Sequence, residues 1–209
     1  MEVCPLCSGA ATLYCDKPKH IFYLCGTCNG IFRPAVTFIK SDAEKAHYEL
    51  HNNDVNDIRY QQFVSPIVNA ILADFTPDDK GLDFGSGTGP VVAKMLLDKG
   101  FQIENYDLYF ENVPERLKNQ YHYISCCEVM EHFHEPLKEF KMLQKMLLPN
   151  GKLYCKTAVF NNQKPFEDWY YKDDPTHVFI YQEATLHWIQ KNLRFSEVSI
   201  LDKLIVFSL

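Results

Sequence analysis

The stretch Leu82-Asp83-Phe84-Gly85-Ser86-Gly87-Thr88-Gly89-Pro90 decides the fold. An apolar, strand-like lead-in delivers an acidic residue, then glycine at three alternate positions, then the apolar segment Val91 to Lys99, which reads as a helix. Glycine at alternate positions lets the backbone turn sharply without Cβ clashes and lets a ligand lie against the peptide groups. The helix that follows offers backbone N–H groups at its N-terminus. Such a turn suits a nucleotide-like cofactor. Alone it is ambiguous, because Gly85-x-Gly87-x-Gly89 is not the Gly-x-Gly-x-x-Gly of dinucleotide binders.

The flanking segments resolve the ambiguity. Gly100 to Asp107 reads as a second strand ending in an acid, about twenty residues past the glycines, where doubly wound folds place a carboxylate on ribose hydroxyls. Tyr121 to Cys127 reads as a third strand, followed by Glu128-Val129-Met130-Glu131-His132-Phe133. A Leu- and Lys-rich helix from Leu137 to Leu148 closes at Pro149-Asn150-Gly151, and the strand Lys152 to Thr157 follows. Gln182 to Asn192 reads as a helix with Trp188 and Ile189 inward. Phe195 to Ile200 and Lys203 to Leu209 read as an antiparallel pair finishing the sheet. Upstream, Ser41 is the expected cap and Glu44 the capping-box partner of a helix reaching about His51. Asn52 to Asp57 is a polar turn, and Ile58 to Phe75 carries Phe63, Ile67, Ala70 and Ile71 at helical spacing.

This combination resembles the class I S-adenosylmethionine-dependent methyltransferases, most of all the subgroup with Glu-Val-Leu-Glu-His after the fourth strand, which includes ubiquinone-biosynthesis-type enzymes. The residues carrying the resemblance are Leu82 to Gly89, Asp107, Glu128 to His132, Leu148 to Gly151, and Trp169-Tyr170-Tyr171 through Asp174-Pro175-Thr176-His177-Val178. The likeness implies an α/β fold with a Rossmann-like sheet of about six strands, mostly parallel with an antiparallel last strand. It implies that Asp83 organises the glycine loop and the methionine amino end. Gly85, Gly87 and Gly89 would admit the methionine and ribose portions, and Asp107 would accept from the ribose hydroxyls. Leu108 and Tyr109 would pack on adenine, and Cys127 and Glu128 would line the cofactor. Tyr60, on the entry helix, either faces the cofactor or packs. Only a short stretch separates Asp107 from Tyr121, so the usual helix and strand there are lost or reduced to the Pro114 to Asn119 turn.

Composition sets outer limits. The 209 residues, 46% hydrophobic, suffice for one well-buried core and a small appendage. A net charge of -6 argues against a broad basic face for nucleic acid. No apolar run approaches the roughly 18 residues of a membrane span. The first residues show no charged-then-apolar signal, so the expected compartment is the cytoplasm.

Cys4-Pro5-Leu6-Cys7 and Cys25-Gly26-Thr27-Cys28 form two C-x-x-C knuckles with seventeen residues between them. That spacing fits a four-cysteine zinc ribbon, and Gly26 is expected to permit the tight turn. Cys15 and His20 are alternative ligands with worse spacing, and paired disulfides are the competing reading. Four thiolates close the shell around Zn2+, so the metal is expected to be structural. Short strands are expected at Tyr14 and Ile21 to Leu24. Cys126, Cys127 and Cys155 read as small apolar core residues. The chain thus divides into a ribbon (1–33), a helical linker (34–58) and a methyltransferase domain (59–209).

His132 and His177 are the candidate bases, each with the alternative of a histidine that fixes a loop. The remaining histidines, His20, His47, His51, His122, His134 and His187, show no partner pattern. Phe166, Trp169, Tyr170 and Tyr171 either wall an acceptor pocket or pack the segment onto the sheet. The expected activity is methyl transfer from S-adenosylmethionine to a small-molecule acceptor. The alternatives are an RNA or protein methyltransferase that uses the ribbon for recognition, and a non-catalytic cofactor-binding subunit that meets a protein partner through the ribbon.

Overall fold

The computed structural model describes residues 2–18, 20–50 and 53–209. The polar turn expected at Asn52 and the helix end expected at His51 lie outside the described residues.

The chain opens with four short strands, β1 (Glu2–Val3), β2 (Ala10–Lys17), β3 (His20–Cys25) and β4 (Ile31–Phe32), linked antiparallel in sequence order. Their apolar residues, among them Phe22, Ile31 and Phe32, are buried. The strands complete their core by pairing β4 with β9 (Phe179–Ile180), through Ile31↔Ile180 and Phe32↔Phe179. Cys25 ends β3 and the other three knuckle cysteines lie in the turns between strands; Cys4, Cys25 and Cys28 belong to the same apolar cluster as the main sheet.

Two helices follow. α1 (Ser41–Glu49) is capped by Lys40 without a side-chain bond, so the expected capping box at Ser41 and Glu44 is absent. Glu44 is buried instead, accepting from the Tyr48 hydroxyl at 2.8 Å and the Tyr109 hydroxyl at 2.9 Å. α2 (Ile58–Asp74) is capped by Asp57, whose carboxylate accepts from the Arg59 N–H. Its buried face is Val64, Ile67, Val68 and Ile71. Phe63 does not join that face: it is exposed at its edge, under the Lys156 ammonium 3.2 Å from its ring centroid.

The main sheet runs β10-β11-β8-β7-β5-β6. β5 (Lys80–Phe84), β6 (Gln102–Tyr106), β7 (Tyr121–Cys127) and β8 (Leu147–Lys156) are parallel. β11 (Leu204–Ser208) is antiparallel to β8, and β10 (Glu197–Leu201) closes a hairpin with it. α3 (Val91–Leu97), α4 (Pro136–Lys145) and α5 (Glu183–Asn192) complete the layers. β5 is buried from Gly81 to Phe84, as a central parallel strand should be.

Six strands is the count expected from the short stretch after Asp107. In place of a helix and strand, a single turn of 3-10 helix, Pro114–Lys118, covers the outer edge of β6. Arg116 donates from it to the Asn105 carbonyl and the Glu111 carboxylate, while the Tyr121 hydroxyl bonds Glu104 at 2.6 Å. These contacts shield an edge strand that would otherwise present unpaired backbone. Pro149-Asn150-Gly151 is not a turn before β8 but a bulge within it, the register slipping between Tyr121↔Leu147 and Tyr123↔Lys152. Cys126 and Cys155 are cross-strand neighbours with fully buried side chains, and burial pushes the Cys126 thiol up, in keeping with core residues.

Candidate functional site

The chain passes from β5 and β6 on one side to β7 and β8 on the other, so a crevice opens between β5 and β7 at the carboxyl ends of the strands. A cavity of about 830 Å³ fills it. Ligand sites span roughly 300–1,000 Å³, so this one is large enough for a cofactor and a small second molecule.

One side of the cavity is the glycine loop. Gly85 and Gly87 adopt φ of 77° and 65°, which a side chain would strain. Gly89 has ordinary φ but needs glycine for another reason: a Cβ there would lie 1.7 Å from the Asn53 carbonyl oxygen. The connection between α1 and α2 therefore lies directly on the loop. Gly85 and Ser86 donate their N–H groups to the Tyr106 carbonyl at 2.8 and 3.2 Å, clamping the loop to the end of β6. The Ser86 hydroxyl lines the cavity, buried and without a hydrogen-bond partner. An orphaned donor there fits a polar ligand in the crevice.

Asp83 sits behind this loop and does not line the cavity. Its carboxylate accepts from the Ser125 hydroxyl at 2.7 Å and from the Ala93 N–H in the first turn of α3. Burial pushes its carboxyl up to about 6. The carboxylate thus ties the end of β5 to β7 and to the first turn of α3. Asp107 does reach the cavity. Its Oδ2 accepts from Gly87 N–H at 2.9 Å, and its Oδ1 from Tyr109 and Phe110 N–H at 2.8 and 3.1 Å. It both caps the following turn and faces the crevice, keeping one lone pair of Oδ2 for a ligand. Leu108, Tyr60, Cys127 and Glu128 all line the same space. Glu128 ends β7 in the left-handed region, φ 53°, a conformation that costs energy for a non-glycine residue. Its carboxylate meets Lys156 Nζ at 3.5 Å and accepts from Tyr171 at 3.2 Å, and burial raises its pKa.

The opposite side is built from the turn after β7 and the segment before β9. These are stitched together: Val178 N–H donates to the Glu131 carbonyl at 2.9 Å, and the Tyr181 hydroxyl to the Met130 carbonyl at 2.8 Å. The stitching brings His132 and His177 to a ring separation of 4.9 Å. His132 Nδ1 lies 2.9 Å from the Thr176 carbonyl and His177 Nδ1 lies 2.6 Å from the Tyr171 carbonyl. A carbonyl only accepts, so each Nδ1 carries the proton and each Nε2 keeps its lone pair. Burial lowers the pKa of both rings, which favours the neutral form. Glu131, fully buried, accepts from the Tyr171 hydroxyl through Oε1, while its Oε2 has no partner. Ligand atoms of Glu131, His132 and His177 lie within 4.8 Å of one another, close enough to surround a cation.

The aromatic cluster divides. Tyr170 and Tyr171 line the cavity, whereas Phe166 packs under Tyr14 and Phe22 at 5.3 and 5.0 Å, with Trp169 against Phe160. Two histidines set aside on the sequence are near the site. His47 Nε2 lies 3.3 Å from Asp174, and His134 lines the cavity 3.9 Å from Glu44. Glu44, Tyr48 and Tyr109 form a mutually bonded group on the same wall. No local pattern marks them, because they are drawn together from α1 and the turn after β6.

Outside this cavity Cys4, Cys7, Cys25 and Cys28 converge, with all four sulfurs within 4.8 Å. Cys4 and Cys28 are 3.6 Å apart and Cys7 and Cys25 3.3 Å, near the roughly 3.8 Å edge of a tetrahedron with Zn–S bonds of about 2.3 Å. Gly9 and Thr27 N–H groups each point at a sulfur at 3.4 Å, as donors to thiolates do. The left-handed residues of the two knuckles are Ser8 and Asn29, each at φ 59°; Gly26 does not supply the turn. The donor set and spacing fit a closed four-thiolate zinc site.

Comparison with known proteins agrees with the architecture. The chain belongs to the methyltransferase domain family, whose model matches residues 57–199. It is 26% identical over 81 residues to a ubiquinone biosynthesis O-methyltransferase of Pseudomonas savastanoi pv. phaseolicola, covering 39% of this chain and 35% of that protein. The match thus spans about a third of the length of the curated relative. Among solved structures, the fold is that of an S-adenosylmethionine-dependent methyltransferase from Archaeoglobus fulgidus, with a TM-score of 0.52 at 17% identity, covering 66% of this chain and 71% of that one. Human N-acetylserotonin methyltransferase, solved with S-adenosylmethionine, gives a TM-score of 0.51 at 13% identity, covering 71% and 53%. Among the described residues, no helix is long and apolar enough to cross a membrane.

Proposed function

We propose that this protein transfers a methyl group from S-adenosylmethionine to a hydroxyl of a small molecule, with a structural zinc in the ribbon. The observation that carries this reading is a single cavity whose one side is the glycine loop and Asp107 and whose other side presents two neutral imidazoles. When bound, the cofactor supplies an already activated methyl on a sulfonium. Asp107, with a lone pair of Oδ2 to spare, would accept from a ribose hydroxyl, and the loop from Gly85 to Gly89 with Ser86 would take the rest of the polar backbone. Tyr60, Leu108 and Cys127 would close around it, and the 53–57 connection would exclude water.

His132 is the proposed base. Its Nε2 lone pair is fixed by the Nδ1–H bond to Thr176, and its lowered pKa keeps it unprotonated near neutral pH. It would draw the proton from the acceptor hydroxyl as the oxygen attacks. His177 and Glu131 stand beside it to share the resulting positive charge. Holding donor and acceptor in line supplies much of the acceleration in such reactions, up to roughly 7–11 kcal/mol. Calorimetric titration of zinc-replete protein with S-adenosylhomocysteine tests the reading. Saturable one-to-one binding is expected; no binding by the folded protein would overturn it and return the ribbon to the role of a partner-binding surface.

One observation favours a second reading, a macromolecular acceptor. An open groove of about 970 Å³ runs between Pro5 of the first knuckle and α4, lined by Lys118, Lys138, Lys141 and Lys145. Glu135 lines both this groove and the cavity. In a chain of net charge -6 that is a concentrated basic face. It holds no arginine and no aromatic ring, the residues that grip bases, so it suits an acidic protein surface better than RNA. Charge reversal of Lys141 and Lys145 would leave methylation of a free small molecule intact and abolish methylation of a protein-borne one.

A further inference from the structure

The wall that carries His177 is held from the ribbon. Arg33 follows β4 directly and is 5% exposed. Its backbone N–H donates to the Val178 carbonyl at 2.9 Å, continuing the pairing of β4 with β9. Its guanidinium then turns into the segment before β9. Nε donates to the His177 carbonyl at 3.0 Å, and Nη2 donates to the carbonyls of Lys172 at 2.7 Å and Asp174 at 3.3 Å. The Phe22 ring of β3 lies under the guanidinium carbon at 4.5 Å.

Three backbone carbonyls therefore converge on one side chain. Buried carbonyls must be satisfied, and pointing them at one centre is costly without a donor of fixed, forked geometry. Guanidinium has five N–H groups in one plane; an ammonium has three donors on a flexible stem and no planar fork. The carbonyls bracket the turn Lys172 to His177, the turn in which His177 Nδ1 finds the Tyr171 carbonyl. With the turn fixed, His177 has one tautomer and one ring orientation, and its ring packs on His132. Further ribbon contacts run to the segment before β9: His20 to Asp173 at 3.7 Å, Lys17 to Glu167, and Tyr14 and Phe22 to Phe166. The glycine loop, by contrast, is clamped by β6 and the 53–57 connection.

We propose that Arg33 is a positioning residue through which the four-cysteine ribbon sets the acceptor wall, so that ribbon integrity governs His177 without governing cofactor binding. This rests on the placement of His177 on the acceptor side of the cavity. It assigns the ribbon a task inside the site rather than at a distant surface. Cysteine ligation holds β3 and β4, β4 delivers Arg33, and Arg33 gathers the three carbonyls.

The test uses the full chain. Arg33→Met, Arg33→Lys and the chelator-treated parent protein are compared by amide hydrogen exchange, by long-range nitrogen–proton NMR of the histidine tautomers, and by calorimetry with S-adenosylhomocysteine. Arg33→Met is expected to speed exchange across 172–178 by about tenfold or more. It should also mix the tautomers of His177 and leave S-adenosylhomocysteine affinity within about twofold of the parent. Arg33→Lys keeps the charge but not the fork and should fall between the two. Chelation should reproduce the Arg33→Met pattern in the same residues. Unchanged exchange and tautomer in Arg33→Met would overturn the proposal, as would a parallel loss of cofactor affinity. Should Arg33→Met fail to fold, Arg33→Lys and chelation carry the same readouts. A parent protein that binds no S-adenosylhomocysteine would sink the function proposed above while the exchange and tautomer readouts still judge Arg33.

Discussion

Gly87 donates its backbone N–H to Asp107 Oδ2 at 2.9 Å, joining the glycine loop after β5 to the end of β6. The same carboxylate holds the turn at Tyr109 and Phe110 through its other oxygen. Asp107 thus fixes the spacing of two loops and offers what remains of its accepting capacity to the cavity. Asp107→Ala should weaken S-adenosylhomocysteine binding by about 2 kcal/mol or more, since it removes both effects. Asp107→Asn keeps an oxygen for one loop and loses charge, so its loss should be smaller, about 1–2 kcal/mol. Calorimetry on both variants decides; unchanged affinity in both would remove the ribose assignment.

Asp83 is expected to cost stability at neutral pH. Its native carboxyl titrates at about 6, against 3.8 for an unperturbed one, because it is buried behind the loop. Between those values the native state holds a proton that the unfolded chain has released. Stability therefore falls as pH rises through this window and stays lower above it. A shift of about two units corresponds to roughly 3 kcal/mol. Asp83→Asn, which still accepts from Ser125, should gain about 1–3 kcal/mol at pH 8 and nothing at pH 4. Thermal melts at the two pH values read the difference directly; an equal effect at both would mean that the charge of Asp83 is not the cause.

The strands of the main sheet were legible because three of the four parallel ones are followed by a residue with a recognisable job: Gly85, Asp107, Glu128. The loss of one strand was legible from the brief interval between Asp107 and Tyr121. The cysteine knuckles were legible from spacing alone, since two C-x-x-C turns meet only by sharing a centre. What the sequence hid was non-local. Glu44 looked like a capping residue because Ser41 precedes it by three, yet tertiary contacts with Tyr48 and Tyr109 draw it into the cavity. Arg33 looked like no more than the last residue of the ribbon, because no local pattern reveals three carbonyls folded back upon it. His47 gave no sign of Asp174, far along the chain.

The approach of Asn53 to Gly89 makes the glycine loop sensitive to a single methyl. A Cβ at Gly89 would fall 1.7 Å from the Asn53 carbonyl oxygen, so the connection between α1 and α2 must move away. Gly89→Ala should cost about 1–3 kcal/mol of stability, as overpacking does. It should also raise the off-rate of S-adenosylhomocysteine, because the displaced connection no longer closes the crevice. Stopped-flow displacement measures that rate; an unchanged off-rate would mean that the connection is not a cover.

Zinc content should follow the four thiolates. Cys4→Ser removes one of them and should release the metal or hold it far more weakly, whereas Cys15→Ser should not, since Cys15 packs in a separate cluster with Phe22 and Phe166. Elemental analysis after dialysis distinguishes them. Full metal retention in Cys4→Ser would exclude Cys4 as a ligand.

His132 and His177 set the expected pH dependence. Burial lowers both pKa values below the usual 6.5 of a histidine, and the rings lie 4.9 Å apart. With a hydroxyl acceptor, kcat/KM should rise with pH through an apparent pKa below 6.5 and stay flat above it, because the base is then already unprotonated. His132→Ala should lower turnover by about 10²–10⁴-fold and leave S-adenosylhomocysteine affinity nearly unchanged. His177→Ala keeps the base and its Thr176 tether but removes the neighbour that shares the charge, so its loss should be smaller. Equal turnover in His132→Ala and the parent would return His132 to the task of fixing the loop at Thr176. An acidic limb that survives in both variants would place the titrating base elsewhere, with Glu131 the next carboxylate within reach.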